Sequence, residues 1–307
     1  MDAATEARSG HGAAGTRTGR LQAYLILLRP QQWTKNLLVL AALLFAGQIA
    51  FPHQVFRAGL TFLAFCMASS SVYVINDIMD RDSDRAHPRK RSRPIAAGLI
   101  RRESGICIAL VCLVCALALI WFTTQPALYC LVAYLLLQAG YVTVFKHQVL
   151  LDVFAIAAGF ILRAVTGAYA IQVVISPWLL ICTLQLALFL ALSKRRSELQ
   201  ASDNPGNHRR VLGDYNLGLL DQLITVVTSC TVLAYILYTF SEQTTQKFHS
   251  QLMPLTIPFV LYGIFRYLYL IHKKSGGGEP ELLLLKDPPL LICIALWAAT
   301  VALITHM

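Results

Sequence analysis

The stretch N-D-I-M-D-R-D-S-D-R-A-H-P-R-K-R-S-R-P-I-A-A-G, Asn76 to Gly98, decides how the rest of the chain is read. It leaves an apolar run, Ala58 to Ile75, that carries no formal charge, and within a few residues it becomes dense in charge of both signs. Asn76, Asp80 and Asp84 sit four apart. If the helix of the apolar run continues, they share one face, because four residues advance only slightly beyond a full turn. Asp77 is expected on a different face from that row, and Asp82 in solvent. After His87-Pro88, read as a turn device rather than a general base, the sign changes to Arg89, Lys90, Arg91 and Arg93. Charge that abuts an apolar span is expensive and usually functional. Hard oxygen ligands at helical spacing suit Mg²⁺, which takes one or two carboxylates and fills its other positions with water and phosphate oxygens. Carboxylates for a divalent cation beside cations for phosphates predict an active site.

Working outward, the chain of 307 residues is 56% hydrophobic and 14% charged, too apolar for a soluble enzyme of this length. Runs free of Asp, Glu, Lys and Arg cover Leu37–Phe56, Ala58–Asn76, Ser104–Phe145, Ala164–Ser193, Gln222–Ser241, Phe248–Phe265 and Pro288–Met307. Runs of that length define a polytopic membrane protein. The formal charge of +10 lies mostly between the spans, so anionic lipid and phosphorylated substrate are better partners than nucleic acid, which is not expected. All eight cysteines fall in apolar runs, and the Cys112-x-x-Cys115 pair inside one reads as packing rather than metal or redox chemistry.

The fold class is all-α, with about nine transmembrane helices. Residues 1–20 lack an apolar centre and read as a disordered tail, and 21–307 as a single transmembrane domain. The spans are expected near 37–51 (with an earlier interfacial turn from Leu21), 57–79, two helices divided at Thr123-Thr124-Gln125-Pro126, 152–171, 177–194, 217–240, 252–271 and 288–305. Lys and Arg concentrate in alternate connections and the N-terminal segment, which places those loops and the N-terminus in the cytoplasm and the C-terminus outside. The expected location is the cell inner membrane.

Two further clusters lie on the charged side. S-K-R-R-S-E-L (Ser193–Leu199) with H-R-R-V-L-G-D-Y-N-L-G-L-L-D (His208–Asp221) brings Lys194, Arg195 and Arg196 near Glu198, Asp214 and Asp221. The cations can be topological anchors alone, and about half of such residues should be. Two acidic clusters on one side can also hold two Mg²⁺ ions, or one ion plus orienting groups, around a diphosphate. Y-V-T-V-F-K-H-Q-V-L-L-D supplies Lys146 and Asp152, with Arg163 eleven residues further, about three turns inside a span. An arginine there needs an anion, either a carboxylate of a neighbouring helix or a phosphate, and both readings stand. Arg266 poses the same question.

The N-D-x-x-D-x-x-x-D pattern, the span count and the second acidic loop resemble the UbiA superfamily of intramembrane prenyltransferases. R-P-Q-Q-W-T-K-N (Arg29–Asn36), H-P-R-K-R-S-R-P-I-A-A-G (His87–Gly98), L-D-V-F-A-I-A-A-G-F-I-L-R (Leu151–Arg163) and K-R-R-S-E-L (Lys194–Leu199) are similar to its branch of decaprenyl-phosphate phosphoribosyltransferases. The resemblance implies a UbiA-type bundle with a cytoplasmic-side active site and a role in cell-wall biosynthesis. It implies 5-phosphoribosyl 1-diphosphate as donor, a polyprenyl phosphate as acceptor, and Mg²⁺ as cofactor. Asn76, Asp77, Asp80 and Asp84 would hold the metal, the three aspartates being the catalytic set. Lys35, Lys90, Arg93, Tyr141, Lys146, Arg163, Lys194, Arg195, Tyr215 and Asp221 would bind substrate. Membrane lipids surround the chain, and a homo-oligomer is compatible with this reading. The second acidic motif, D-Y-N-x-x-x-x-D, departs from the D-x-x-x-D of the aromatic prenyltransferases.

An aromatic prenyltransferase with a 4-hydroxybenzoate-like acceptor is the alternative enzyme. It needs the same diphosphate site, but fewer cations than a donor with a 5-phosphate and an acceptor with another. A transporter is the alternative of another class, and would place charge near the bilayer midplane with access from both sides. Charge concentrated on one side argues for the enzyme.

Overall fold

The computed structural model describes residues 17–86, 90–200, 210–248, 250–273 and 286–306. Helix α1 is Arg17–Leu28. Tight 3₁₀ turns run over Pro30–Leu40, followed by a short α2, Ala41–Phe45, and one more 3₁₀ turn at Gln48–Ala50. The long helices are α3 (Pro52–Met79), α5 (Arg102–Trp121), α6 (Gln125–Thr143), α7 (Leu151–Ala170), α8 (Pro177–Gln200), α9 (Leu217–Phe240), α11 (Ile257–Lys273) and α12 (Pro288–His306). The short α4 (Arg81–Ala86) and α10 (Glu242–Phe248) extend α3 and α9.

Seven of these segments are long and apolar enough to cross a bilayer, and 288–304 is a shorter apolar helix. They match eight of the nine expected spans. The ninth, expected near 37–51, is not a continuous helix. Gly47 breaks it with φ +66°, and the 3₁₀ turns of Pro30–Leu40 lead into it. Close packing accounts for the irregular backbone: a Cβ at Gly167 on α7 would stand 1.9 Å from the Val39 carbonyl oxygen. The segment therefore lies backbone-against-backbone on α7, where only glycine fits.

The chain divides into two compact units, one of residues 1–37 and 59–123, the other of 38–58 and 124–307. In the first, Ala23 and Leu27 of α1 bury against Val74, Ile78, Ile95, Ile100 and Ala109. On α5, Gly105, Ala109, Cys112, Ala116 and Ile120 are buried, while Leu110, Val111 and Val114 are exposed. Small residues inward and large apolar residues outward is the pattern of a helix whose solvent is hydrocarbon. Cys112 is buried and Cys115 exposed, so the pair does not converge on one ligand.

In the second unit, α8 packs between α7 and α9, and its Ala187, Phe189 and Leu192 join Val153, Leu220 and Ile224 in the main apolar core. The break between α5 and α6 falls where Thr124 accepts a hydrogen bond from the Ala127 amide (3.3 Å), an N-cap legible in T-T-Q-P. Asn216 caps α9 in the same way, through Leu219 at 2.7 Å.

Candidate active site

The acidic stretch is helical through the junction of α3 and α4: the Asp80 amide donates to the Asn76 carbonyl at 2.9 Å and the Asp84 amide to Asp80 at 2.8 Å. Asn76 Nδ2 donates to Asp80 Oδ2 at 3.0 Å. Asp77, however, stands with Asp84 rather than apart from the row. Each step of four residues drifts by about 40°, so by Asp84 the row has turned nearly onto the azimuth of Asp77, seven residues back. Both carboxylates are about 2% exposed, and one guanidinium nitrogen joins them: Arg93 Nη1 donates to Asp84 Oδ2 at 2.6 Å and Asp77 Oδ1 at 3.1 Å. Asp82 is exposed, as expected.

A second arginine completes the cluster. Arg29 Nη2 donates to Asp77 Oδ1 at 2.6 Å, and its guanidinium stacks over the Tyr73 ring at 5.2 Å. Arg29 has φ +52°, a strained backbone for a non-glycine residue and the kind of strain that collects at functional positions. The segment carrying it is pinned to α3: Trp33 Nε1 donates to Ser70 Oγ (3.0 Å), Ser70 to the Leu28 carbonyl (2.8 Å), and Asn36 Nδ2 to Ser69 Oγ (3.2 Å). Arg85 Nε donates to the Ala96 carbonyl at 2.9 Å, fixing the basic segment against α4. Lys35 and Lys90 are half-buried in this unit. His87, Pro88 and Arg89 lie outside the described residues.

The donor chemistry of Asn76, Asp77, Asp80 and Asp84 fits Mg²⁺, because all offer hard oxygens. Among the described residues no group of three or more His, Cys, Asp or Glu closes around a point.

The second unit carries the other charged cluster. Arg195 and Arg196 are neighbours on α8, but 100° apart around it, so they serve different helices. Arg195 Nε donates to Asp152 Oδ2 at 2.6 Å and Nη1 to Glu198, with Arg195 1% and Asp152 0% exposed. Asp152 Oδ1 accepts from the Tyr215 hydroxyl at 2.9 Å, and that hydroxyl in turn accepts the Leu150 amide at 2.8 Å. Leu150 sits at φ +66°, ψ −42°, with the Leu151 amide reaching the Val149 carbonyl at 2.8 Å. This is a γ-turn of the rare, strained hand. It launches α7 with Asp152 in its first turn, and Tyr215 holds it. Burial pushes the Tyr215 phenol up to about 12, so it remains a proton donor at neutral pH.

Arg196 Nε donates to Asp221 Oδ1 at 2.5 Å and Nη1 to Gln200 Oε1 at 3.1 Å, and His272 Nε2 stands 3.6 Å from the same carboxylate oxygen. Arg163, 4% exposed on α7, donates to the Gly159 carbonyl (2.8 Å) and the Tyr134 hydroxyl (2.9 Å), and stacks on the Tyr134 and Phe160 rings. Arg266 resolves as an ion pair with Asp287, at 3.1 and 2.9 Å. Tyr141, Lys146 and Lys194 are half-buried, and Asp214 is exposed. A cavity of about 260 Å³ with almost wholly apolar walls, Phe189, Phe259 and Trp297 among them, opens between α8, α11 and α12.

Arg29, Arg196, Glu198 and Asp152 take part in these clusters but are not among the metal and substrate ligands that the sequence resemblance implies. The signal for Asp152 was its place one residue into an apolar helix, where an uncompensated charge is costly.

An all-α membrane bundle with carboxylates and arginines gathered at helix ends defines a class of intramembrane transferase. The chain belongs to the UbiA prenyltransferase family, whose model matches residues 36–285. Relatives called decaprenyl-phosphate phosphoribosyltransferase are among the most similar proteins. That of Mycolicibacterium smegmatis is 34% identical over 98% of both chains, and that of Corynebacterium glutamicum 33% over 91% of this chain and 86% of its own. The fold is similar to that of a UbiA homologue from Archaeoglobus fulgidus solved with DMAPP and Mg²⁺, at a TM-score of 0.70, 20% identity and coverage of 93% and 99%. The protein is a multi-pass membrane enzyme of transferase type.

Proposed function

We propose that the chain transfers 5-phosphoribose from 5-phosphoribosyl 1-diphosphate to a polyprenyl phosphate and releases diphosphate, in a Mg²⁺-dependent reaction. The observation that carries this reading is Arg93, held between two buried carboxylates, with Arg29 on the same oxygen and Lys90 three residues before it. A diphosphate site needs the carboxylates. A donor with a further phosphate, and an acceptor that is itself a phosphate, need more cations than a bound metal alone supplies. The names of the relatives support the same substrate pair.

Asn76, Asp77, Asp80 and Asp84 would hold Mg²⁺, which supplies charge neutralisation to the departing diphosphate. Lys35, Lys90, Arg93, Lys146, Arg163 and Lys194 are the proposed phosphate ligands, with Tyr141 and Asp221 beside them, whereas Arg195 and Tyr215, expected among them, are enclosed with Asp152 and position α7. Fixed cations aimed where negative charge grows are the largest source of catalysis available to such a site. The bond from the anomeric carbon to diphosphate breaks, and a lipid-phosphate oxygen forms the new bond from the opposite face, with inversion. That oxygen is already anionic at neutral pH, so no general base is required. The apolar cavity between α8, α11 and α12 suits the lipid chain. Residues 21–307 act as one transmembrane domain, in the cell inner membrane with the charged loops in the cytoplasm.

The test supplies ribose-labelled phosphoribosyl diphosphate and polyprenyl phosphate to the purified protein. Label is expected in the lipid phase only when Mg²⁺ is present. A lipid phase without label, from protein that prenylates 4-hydroxybenzoate when given a polyprenyl diphosphate, would overturn the reading.

A further inference from the structure

At the end of α3 the carboxylates of Asp77 and Asp84 are matched by the guanidiniums of Arg29 and Arg93. With Asp80 counted as well, a divalent cation added to these five side chains would leave an excess of one positive charge. Its entry therefore requires either an anion or the departure of an arginine from the carboxylates.

The two arginines are not equivalent. Arg29 touches only Asp77 among these carboxylates, and its guanidinium is also stacked on the Tyr73 ring. Arg93 uses one nitrogen for both, at 2.6 and 3.1 Å, so that nitrogen lies where a single cation meets oxygens of Asp77 and Asp84 together. Both arginine side chains are 26% exposed, against 3% for each carboxylate, so Arg93 has open space to turn into and only its bridging contact sets it apart. It also belongs to the segment after the Lys90–Ser92 turn and not to the helix bearing the carboxylates.

We propose that Arg93 is an exchangeable counter-ion: it bridges Asp77 and Asp84 while the site is empty of metal, and it passes to the donor's diphosphate when a divalent cation takes the carboxylates. The inference rests on the diphosphate chemistry proposed above. Departure and arrival are coupled. Asp77 retains Arg29 when Arg93 leaves, but Asp84 is buried, and a buried carboxylate without a counter-charge is strongly unfavourable. Arg93 therefore leaves only as a cation arrives, and the metal binds well only with an anion to receive the arginine. Metal and diphosphate bind synergistically, and donor-free metal binding is suppressed.

The test is direct metal binding by the full chain, read by Mn²⁺ paramagnetic resonance with and without inorganic diphosphate. Wild type is expected to bind Mn²⁺ weakly alone and at least tenfold more tightly with diphosphate. Arg93→Met removes a like charge from within contact distance of the metal position. It should tighten donor-free Mn²⁺ binding about tenfold and lose most of the gain from diphosphate. Unchanged or weaker donor-free binding in folded Arg93→Met would overturn the exchange. Arg93→Gln, which retains a hydrogen-bonding amide, takes its place if Met does not fold. If neither folds, Arg93 is a structural tie and the proposal falls. Ribose transfer by wild type with metal binding indifferent to Arg93 removes the exchange alone. The predicted metal behaviour without any ribose transfer removes the donor assignment alone.

Discussion

The two charged clusters use the same groups in different ways. Around Asp77 and Asp84 the carboxylates are buried, but the arginines are a quarter exposed and one nitrogen is shared between two acceptors. Around Asp152 every partner is internal: Arg195 is 1% exposed, and Tyr215 fixes both the carboxylate and the turn before it. A shared, accessible cation can be handed over to a ligand. A fully enclosed one sets the position of its helices. One cluster is built for exchange, the other for rigidity.

The largest effect should come from breaking the rigid cluster. Asp152→Ala leaves the Arg195 guanidinium buried with only Glu198 to answer it. Removing one partner of a buried pair costs about 3–5 kcal/mol. A large fall in the thermal midpoint of the detergent-solubilised protein is expected. Beside the Asp77–Arg93–Asp84 bridge, Asp80→Ala touches a half-exposed carboxylate and should hardly move the midpoint. Yet it should lower Mg²⁺-dependent transfer by on the order of 100-fold or more. Normal folding with full transfer in Asp80→Ala would remove Asp80 from the metal site. Equal loss of stability in both variants would erase the distinction between the clusters.

That distinction was only partly legible in the sequence. Helices α3 and α5 to α12, with α4 and α10 as extensions, follow from apolar length and from Pro and Thr signals, because in hydrocarbon a backbone must satisfy itself and has few alternatives. The 37–51 segment reads as another span, since its composition is equally apolar. What breaks it is Gly47 and a close approach to Gly167 more than a hundred residues away, and no local pattern carries that. The acidic row was visible from its spacing, but counting in fours hid the partnership of Asp77 with Asp84, which needs the 3.6-residue turn followed for seven residues. Pairing was the least visible feature. Arg195 and Arg196 read as one basic patch, and only the helix azimuth sends one to Asp152 and the other to Asp221.

Tyr215→Phe sharpens the comparison at a smaller scale. It removes a hydrogen bond from Asp152 and leaves the Leu150 amide of a strained turn without its acceptor, a loss of about 1–3 kcal/mol. The pH dependence has a definite sign. The folded phenol titrates at about 12, above the ordinary tyrosine value of about 10, so folding favours its protonated form. Its stabilisation is fully present below about pH 10 and is lost as pH rises through 12. The decline of the thermal midpoint between about pH 10 and pH 12 should therefore be shallower in Tyr215→Phe than in wild type. An unchanged slope would mean that the hydroxyl is not held as described.

Asn216→Ala is the mildest probe. Asn216 follows Tyr215 directly and caps α9 through the Leu219 amide at 2.7 Å. Loss of an N-cap costs about 1 kcal/mol and frays the first helical turn. Tyr215 lies just outside that turn, held by Asp152 and Leu150 and not by the cap. If the cluster is rigid on its own account, the fraying stops at Asn216: the midpoint drops slightly, while the donor KM and the pH 10–12 slope remain those of wild type. If both move with the cap, the rigidity belongs to α9 and not to the Asp152–Tyr215–Arg195 network, and the contrast between the two clusters would lie in their helices, not their side chains.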